Sequence, residues 1–269
     1  MFVIGERING MFKNVRAAIE EGNKGVIQEV ARAQIEAGAN ALDVNVGPAK
    51  ADPLKALFWL VDTISEVTDV PLSIDNPKYD IQKEIIPRLG SRAIINSCKA
   101  DPDALDKYMA LAAENDAGLV ALTIDKQGVP SDVEKRVELG ALIGAKAMES
   151  GLAMDKLFID PIILPVNVAP QQPQNVLETL QQLKMLSDPP PHLNLGLSNL
   201  SQNCANRQLI NRTYIVMAIV AGLDAAIMDP LDKDLMDAMI TAELLLEKVI
   251  YCNSFLDAYR MANRAAVVA

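Results

Sequence analysis

Short apolar runs along this chain end repeatedly in a carboxylate or a carboxamide. Glu6, Arg7 and Asn9 follow the first run, Asn45 the second, Asp75 and Asn76 the third, and Asn96 and Ser97 the fourth. Thr123 and Asp125 follow the fifth, Asp160 the sixth, Ser198 and Asn199 the seventh and Asp229 the eighth, while Asp43 lies inside the second. An ionised carboxylate accepts two parallel hydrogen bonds and a carboxamide both accepts and donates. A ring of such groups therefore suits a planar heterocycle rich in N–H donors, such as the pyrimidine half of a pterin. Any single Asp or Asn here serves equally well as a helix cap or turn residue. The set Asp75, Asn96, Asp160 and Asn199, on alternating or neighbouring runs, is what favours binding.

Other chemistries find little support. The only histidine, His192, precedes the seventh run, so neither a Ser-His-Asp triad through Ser198 nor an imidazole-held metal is expected. Cys98, Cys204 and Cys252 form no C-x-x-C pair, which disfavours a structural zinc site and a disulfide framework and suits a reducing cytoplasm. No tightly bound metal is expected. Gly5-Glu6-Arg7-Ile8-Asn9-Gly10 has the wrong glycine spacing for a dinucleotide fingerprint, and no G-K-[ST] phosphate loop occurs. A net charge of −10, from 25 basic and 35 acidic residues, argues against nucleic acid as partner. With no basic-then-apolar leader and no apolar run of about 18 residues, no membrane association is expected either.

The elements that must position these residues follow a repeat. Runs rich in β-branched and aliphatic residues at 2–4, 41–44, 72–74, 93–95, 119–122, 157–159, 193–197 and 225–228 read as strands. Helical periodicity is clearest at 26–36, 53–67, 103–115, 133–149, 176–186, 209–221 and 231–249. Gly38, Gly90, Gly118, Gly151 and Gly222 sit between helix and strand as candidate left-handed stops, and Asp52-Pro53 and Asp101-Pro102 read as helix starts. Met236, Met239 and Ile240, with Leu244 to Leu246, read as the inner face of an outer helix. Half the residues of the 269 are apolar, enough for a core. Eight β-then-α units without a linker tract predict one closed (β/α)8 barrel domain over 1–269, an α/β TIM barrel, with an open doubly wound sheet as the alternative.

Seven segments carry a resemblance. GERING (5–10), ALDVNVGPA (41–49), SIDNP (73–77), AIINS (93–97), FIDPIILPVNV (158–168), GLSNLSQNCANRQLINR (196–212) and AGLDAAIMDP (221–230) resemble the methyltetrahydrofolate:corrinoid methyltransferases, in family order and over nearly the whole chain. The resemblance implies a pterin-binding barrel, usually a homodimer. Its activity would be methyl transfer between N5 of tetrahydrofolate and the cobalt of a corrinoid carried by a separate protein. By position, Asp75, Asn96 and Asp160 match residues that hold the pyrimidine edge, Asn199 matches the residue placed near N5, and Gln202 and Arg207 match loop residues on the corrinoid side. Glu6, Asp43 and Ser198 fall in matched motifs with a supporting role, Ser198 beside the pterin. Tetrahydrofolate or 5-methyltetrahydrofolate is thus the implied substrate.

N5 is a poor leaving group, so its developing charge needs a hydrogen bond or a proton. Asn199 and Asp160 are the candidates to tighten that step, with the proton itself coming through water or a carboxyl. The corrinoid must arrive free or on a partner protein, because no D-x-H-x-x-G motif is present, and the amide-rich stretch 201–212 is the expected docking place. A non-catalytic folate-binding or corrinoid-protein-binding module remains the alternative of another class. A dihydropteroate synthase-like enzyme is disfavoured, because the segment 46–49 after the second run lacks Arg and the last run has no Arg-x-His ending.

Overall fold

The structure is a computed structural model that describes residues 1–48 and 52–268. The sequence expectation at 46–49 therefore lies partly outside the described residues. Eight strands form one sheet: β1 (Phe2–Asn9), β2 (Ala41–Asn45), β3 (Leu72–Asp75), β4 (Ala93–Lys99), β5 (Gly118–Leu122), β6 (Leu157–Asp160), β7 (His192–Leu193) and β8 (Ala225–Met228). Their order, β7-β6-β5-β4-β3-β2-β1-β8, has every neighbouring pair parallel. The two ends meet through Ile227 N–H to the Leu195 carbonyl at 2.9 Å and a parallel bridge between Gly196 and Ile227. The expected (β/α)8 barrel is the fold.

Helices wrap this cylinder: α1 (Lys13–Glu21), α2 (Lys24–Glu36), α3 (Pro53–Ser65), α4 (Tyr79–Leu89), α5 (Pro102–Glu114), α6 (Val133–Ser150), α7 (Gln172–Leu183), α8 (Arg207–Val220), α9 (Lys233–Leu245) and α10 (Phe255–Val268). Asp52 and Asp101 cap α3 and α5 by accepting from the Lys55 and Ala104 backbone N–H groups, with Pro in the first turn of each. Helices α1, α4 and α10 lie outside the stretches of clearest periodicity; α4 carries Pro87 inside it, which weakens a sequence signal without breaking the helix so near its end. Met236, Met239 and Ile240 are buried as expected, whereas Leu245 and Leu246 are exposed, since α9 ends at Leu245.

Three expectations need correction. β1 and β4 run on to Asn9 and Lys99, so Glu6, Arg7, Asn9, Asn96 and Ser97 stand on strands rather than after them. β7 covers only His192–Leu193; residues 194–196 keep single bonds to β6 and β8 without regular pairing, and a turn of 3-10 helix follows at Leu197–Asn199. Gly118 opens β5; the left-handed stop before it is Asp116, at φ 52°. The other four glycines do have positive φ.

Side chains alternate along each strand, and this period of two sorts the chemistry. Val3, Leu42, Leu72, Ile74, Ile95, Leu119 and Leu157 face the helices in the large outer core. Ile4, Ala41, Ile94, Val120, Phe158 and Ala225 form a separate buried cluster that plugs the inside of the barrel. Two residues further along the same inward rows stand Glu6, Asp43, Asn96 and Asp160. An apolar plug thus underlies a polar layer at the C-terminal mouth, where barrels of this kind carry their sites. His192 belongs to the opposite end: its ring stacks on Phe158 at 4.9 Å, with Nδ1 3.4 Å from Asp224 Oδ2. No helix among the described residues is long and apolar enough to cross a membrane.

Candidate active site

The mouth holds a cup of about 330 Å³ lined by Glu6, Asp43, Asp75, Asn96, Asp160, Ser198 and Asn199, with Leu122, Ile163 and Ile227 as apolar faces. Its wall is built from strand ends cross-tied by side chains. Asp43 Oδ1 accepts from the Ser73 hydroxyl at 2.7 Å and from Asn96 Nδ2 at 3.0 Å. Asp75 Oδ2 accepts from Asn45 Nδ2 at 2.5 Å, and Asn45 Oδ1 in turn accepts from the Gly47 N–H at 2.6 Å. That loop lies against the end of β1: a Cβ on Gly10 would stand 2.2 Å from the Val46 carbonyl oxygen, so two backbones meet where only glycine fits.

Asp160 has both carboxylate oxygens engaged. Oδ1 accepts from the Ile162 N–H at 2.8 Å and Oδ2 from Asn194 Nδ2 at 2.9 Å. Ile162 takes a left-handed conformation, φ 60°, unusual for a β-branched residue, and the buried Arg136 reaches its carbonyl at 3.4 Å. Glu6 accepts from the Ser198 hydroxyl at 2.8 Å across the mouth, tying β1 to the turn after β7. Asn199 stands exposed on that turn. A Cβ on Gly196 would come within 2.8 Å of its Nδ2, so the glycine leaves room for the amide to fold over the cup.

Burial raises the whole carboxylate set. It carries Glu6 to about 7, with Ser198 pulling down, Asp229 pushing up and Arg7 and Arg207 pulling down. It carries Asp160 to about 6 against the Ile162 N–H, Asn194, the Gly196 N–H and Arg136. Asp43 is raised by burial and then by the neighbouring Asp75, and Asp75 is raised by burial against the pull of Asn45. Burial and the nearby Asp75 raise Asp43 to about 8, so that carboxyl holds a proton at neutral pH.

Beside the cup lies a second cavity of about 510 Å³ that shares Glu6, Asn9 and Ser198 with it and adds Arg7, Arg207, Asn211 and Asp229. Arg207 is placed here rather than in the cup; its Nε and Nη2 donate to Ser201 Oγ and the Ser198 carbonyl, both at 3.2 Å. Gln202 is exposed and lines neither cavity, and its N–H donates to the Asn199 carbonyl at 3.1 Å. The stretch 201–212 is loop only as far as Asn206; α8 begins at Arg207.

Two supports escaped the sequence analysis. Asn194 sat inside the apolar run 193–197; its being polar there was the available signal. Gln82, on α4 and fully buried, donates from Nε2 to the carbonyls of Ile74, Asn76 and Asn96 at 2.7, 3.0 and 3.2 Å, clamping the end of β3 to the middle of β4. A glutamine on a helix's apolar face was its only trace. Among the described residues no group of His, Cys, Asp and Glu has a metal-holding arrangement.

A parallel (β/α)8 barrel with a deep acid and amide cup at its C-terminal mouth defines the class of pterin-binding barrels, and the model of that family, pterin binding enzyme, matches residues 13–229. The chain is 32% identical over 271 positions to the methylcorrinoid:tetrahydrofolate methyltransferase of Eubacterium limosum, covering 100% of each. It is 30% identical over 240 residues to the methionine synthase of Mycobacterium leprae, covering 84% of this chain and 20% of that larger protein. Among solved structures it shares its fold with the dihydropteroate synthase of Thermus thermophilus at TM-score 0.65 and 18% identity, covering 91% of this chain and 94% of that one. The dihydropteroate synthase of Coxiella burnetii, in complex with pteroic acid, aligns at TM-score 0.67 and 16% identity, covering 91% and 92%. The chain belongs to the pterin-binding enzymes and, within them, to the family of folate-dependent corrinoid methyltransferases, and it is a methyltransferase.

Proposed function

We propose that this barrel transfers a methyl group between a methylcorrinoid, presented by a separate corrinoid protein, and N5 of tetrahydrofolate held in the cup. The observation that carries the reading is the cup itself: Asp75, Asn96 and Asp160 line one pocket between apolar faces, an arrangement suited to a flat ring with an N–H-rich edge. Asp160 suits a donor on the ring, because a carboxylate offers about four acceptor positions and Ile162, Asn194 and Gly196 take three of them. Asp75 and Asn96 complete the pyrimidine edge, with Asp43 behind them orienting Asn96.

Asn199, at the rim beside Ser198, is assigned to N5, where its amide stabilises the charge that develops as the methyl group moves. Arg207 and the second cavity face the approaching corrinoid, and Gln202, exposed at the same rim, meets the corrinoid protein. Folate and corrinoid are both substrates in this scheme, and no resident metal is invoked. We further assign the chain to one barrel domain acting as a homodimer; exposed Met217 and Val220, three residues apart on α8, supply apolar surface for such a contact. The unpaired Cys98, Cys204 and Cys252 suit a reducing cytoplasm.

Asn199→Ala tests the assignment. Losing one such donor commonly costs ~3 kcal/mol, so single-turnover methyl transfer is expected to slow by roughly two orders of magnitude while tetrahydrofolate still binds. An unchanged rate would remove Asn199 from the mechanism.

A further inference from the structure

We propose that Glu6 is the group that exchanges the N5 proton of the folate, taking it as a carboxylate when N5 gains the methyl group and returning it as a carboxylic acid when N5 loses it. The inference rests on the methyl-transfer reading above. In the first direction the N5 lone pair of tetrahydrofolate attacks the methyl carbon of methylcob(III)alamin. The carbon–cobalt bond breaks with both its electrons on cobalt, which becomes Co(I). The N–H proton of the resulting ammonium passes to Glu6. In reverse, Co(I) supplies the electron pair and Glu6 the proton.

Geometry singles out Glu6 among the four carboxylates of the cup. Asp160 has both oxygens held by N–H donors and is fixed as an acceptor. Asp43 is buried beneath the wall, 3% exposed, and its Oδ1 takes two hydrogen bonds. Asp75 is tied to Asn45 and shares its surroundings with Asp43. Among the described residues Glu6 is engaged only at Oε1, by Ser198, the residue next to Asn199. It is also the one carboxylate that lines both the cup and the neighbouring cavity, so a proton received on the folate side can leave on the other.

The charges around Glu6 suit two-way traffic. Arg7 on its own strand and Arg207 at the start of α8 draw it down, while Asp229 after β8 pushes it up. Asp43 on β2 faces the same carboxyl. Burial outweighs them and sets it near neutral, where a carboxyl both gives and takes a proton efficiently.

The test is single-turnover transfer from methylcobalamin to tetrahydrofolate across pH 5.5–8.5, and from methyltetrahydrofolate to cob(I)alamin over the same range. Wild type is expected to speed up with rising pH through an inflection near 7 in the first direction and to slow through it in the second. Glu6→Gln, which still accepts from Ser198, is expected to bind tetrahydrofolate normally, to lose roughly a hundredfold in rate and to lose the inflection. Ser198→Ala removes a bond that favours the charged form, so its inflection moves upward. In protein labelled at the glutamate carboxyl carbons, one NMR signal should titrate near 7 and be missing from Glu6→Gln. A Glu6→Gln enzyme with full rate and an intact inflection overturns the proposal, as does a Ser198→Ala profile that stays in place or a wild-type spectrum with no such signal. Wild type that binds tetrahydrofolate yet transfers in neither direction, with free cobalamin or with a corrinoid protein in its place, overturns the methyl-transfer reading, and the inference with it.

Discussion

Asn194 Nδ2 lies 2.9 Å from Asp160 Oδ2, and both side chains are buried. One residue leaves β7 and the other ends β6, so this bond joins the strand that carries the acidic end of the cup to the segment leading to Asn199. It also helps hold Asp160 ionised against a burial that pushes it to about 6.

A pH dependence of binding follows. If Asp160 receives the pterin as a carboxylate, tetrahydrofolate affinity is level above about 6 and weakens by up to tenfold per pH unit below it. Asn194→Leu withdraws a bond that favours the charged form, so the fall begins at higher pH. Titration calorimetry between pH 5 and 8 measures both. An identical profile in the variant would detach Asn194 from the site.

Asp160→Asn replaces an acceptor by an amide that turns a donor toward the ring. Leaving a buried donor unmatched costs about 1–3 kcal/mol, so tetrahydrofolate should bind between about fivefold and about 150-fold more weakly. Circular dichroism of the variant should be unchanged, because Oδ1 of the asparagine still accepts from Ile162.

Stability against pH probes Asp43. Its carboxyl is raised in the folded protein to about 8 by burial and Asp75. The native state therefore holds a proton that the unfolded chain has released, and stability falls as pH rises from near 4 to near 8. Asp43→Asn keeps the acceptor for Ser73 and Asn96 without that linkage. Its melting temperature should match wild type at pH 5 more closely than at pH 8, where the variant should be the more stable by at least ~1 kcal/mol. A difference that does not grow with pH would contradict the linkage.

Gln82→Leu strips three carbonyls, at the end of β3 and in the middle of β4, of their common donor. Ile74 and Asn96 keep the Asn76 N–H, at 3.1 and 2.9 Å, but the Asn76 carbonyl loses this donor; a buried acceptor so deprived costs about 1–3 kcal/mol, so the melting point should drop by several degrees and Asn96 should lose its placing. Tetrahydrofolate affinity below wild type at a temperature where the variant is fully folded would separate the two effects.

The barrel was legible because its period of two and its helix stops are local. Asp75, Asn96 and Asp160 could be picked out because each directly follows an apolar run, although Asn96 stands within β4 while Asp75 and Asp160 end β3 and β6, and one cup gathers them. Supports were harder to see. Asn194 hid in an apolar run, Gln82 on a helix whose Pro87 blurred the pattern, and Arg136 among the charges of α6. Their value lies in contacts distant in sequence, which neither propensity nor spacing encodes. Gln202, which its motif assigns to the corrinoid side, stands exposed after Asn199.

The central claim is methyl transfer, and an anaerobic visible spectrum tests it most directly. The purified protein is mixed with methylcobalamin and tetrahydrofolate, and in parallel with cob(I)alamin and methyltetrahydrofolate. The account predicts protein-dependent growth of the Co(I) band in the first mixture and its loss in the second, with Asn199→Ala slowed in both. Tetrahydrofolate binding without conversion in either mixture, even when a corrinoid protein replaces the free cobalamin, would contradict it.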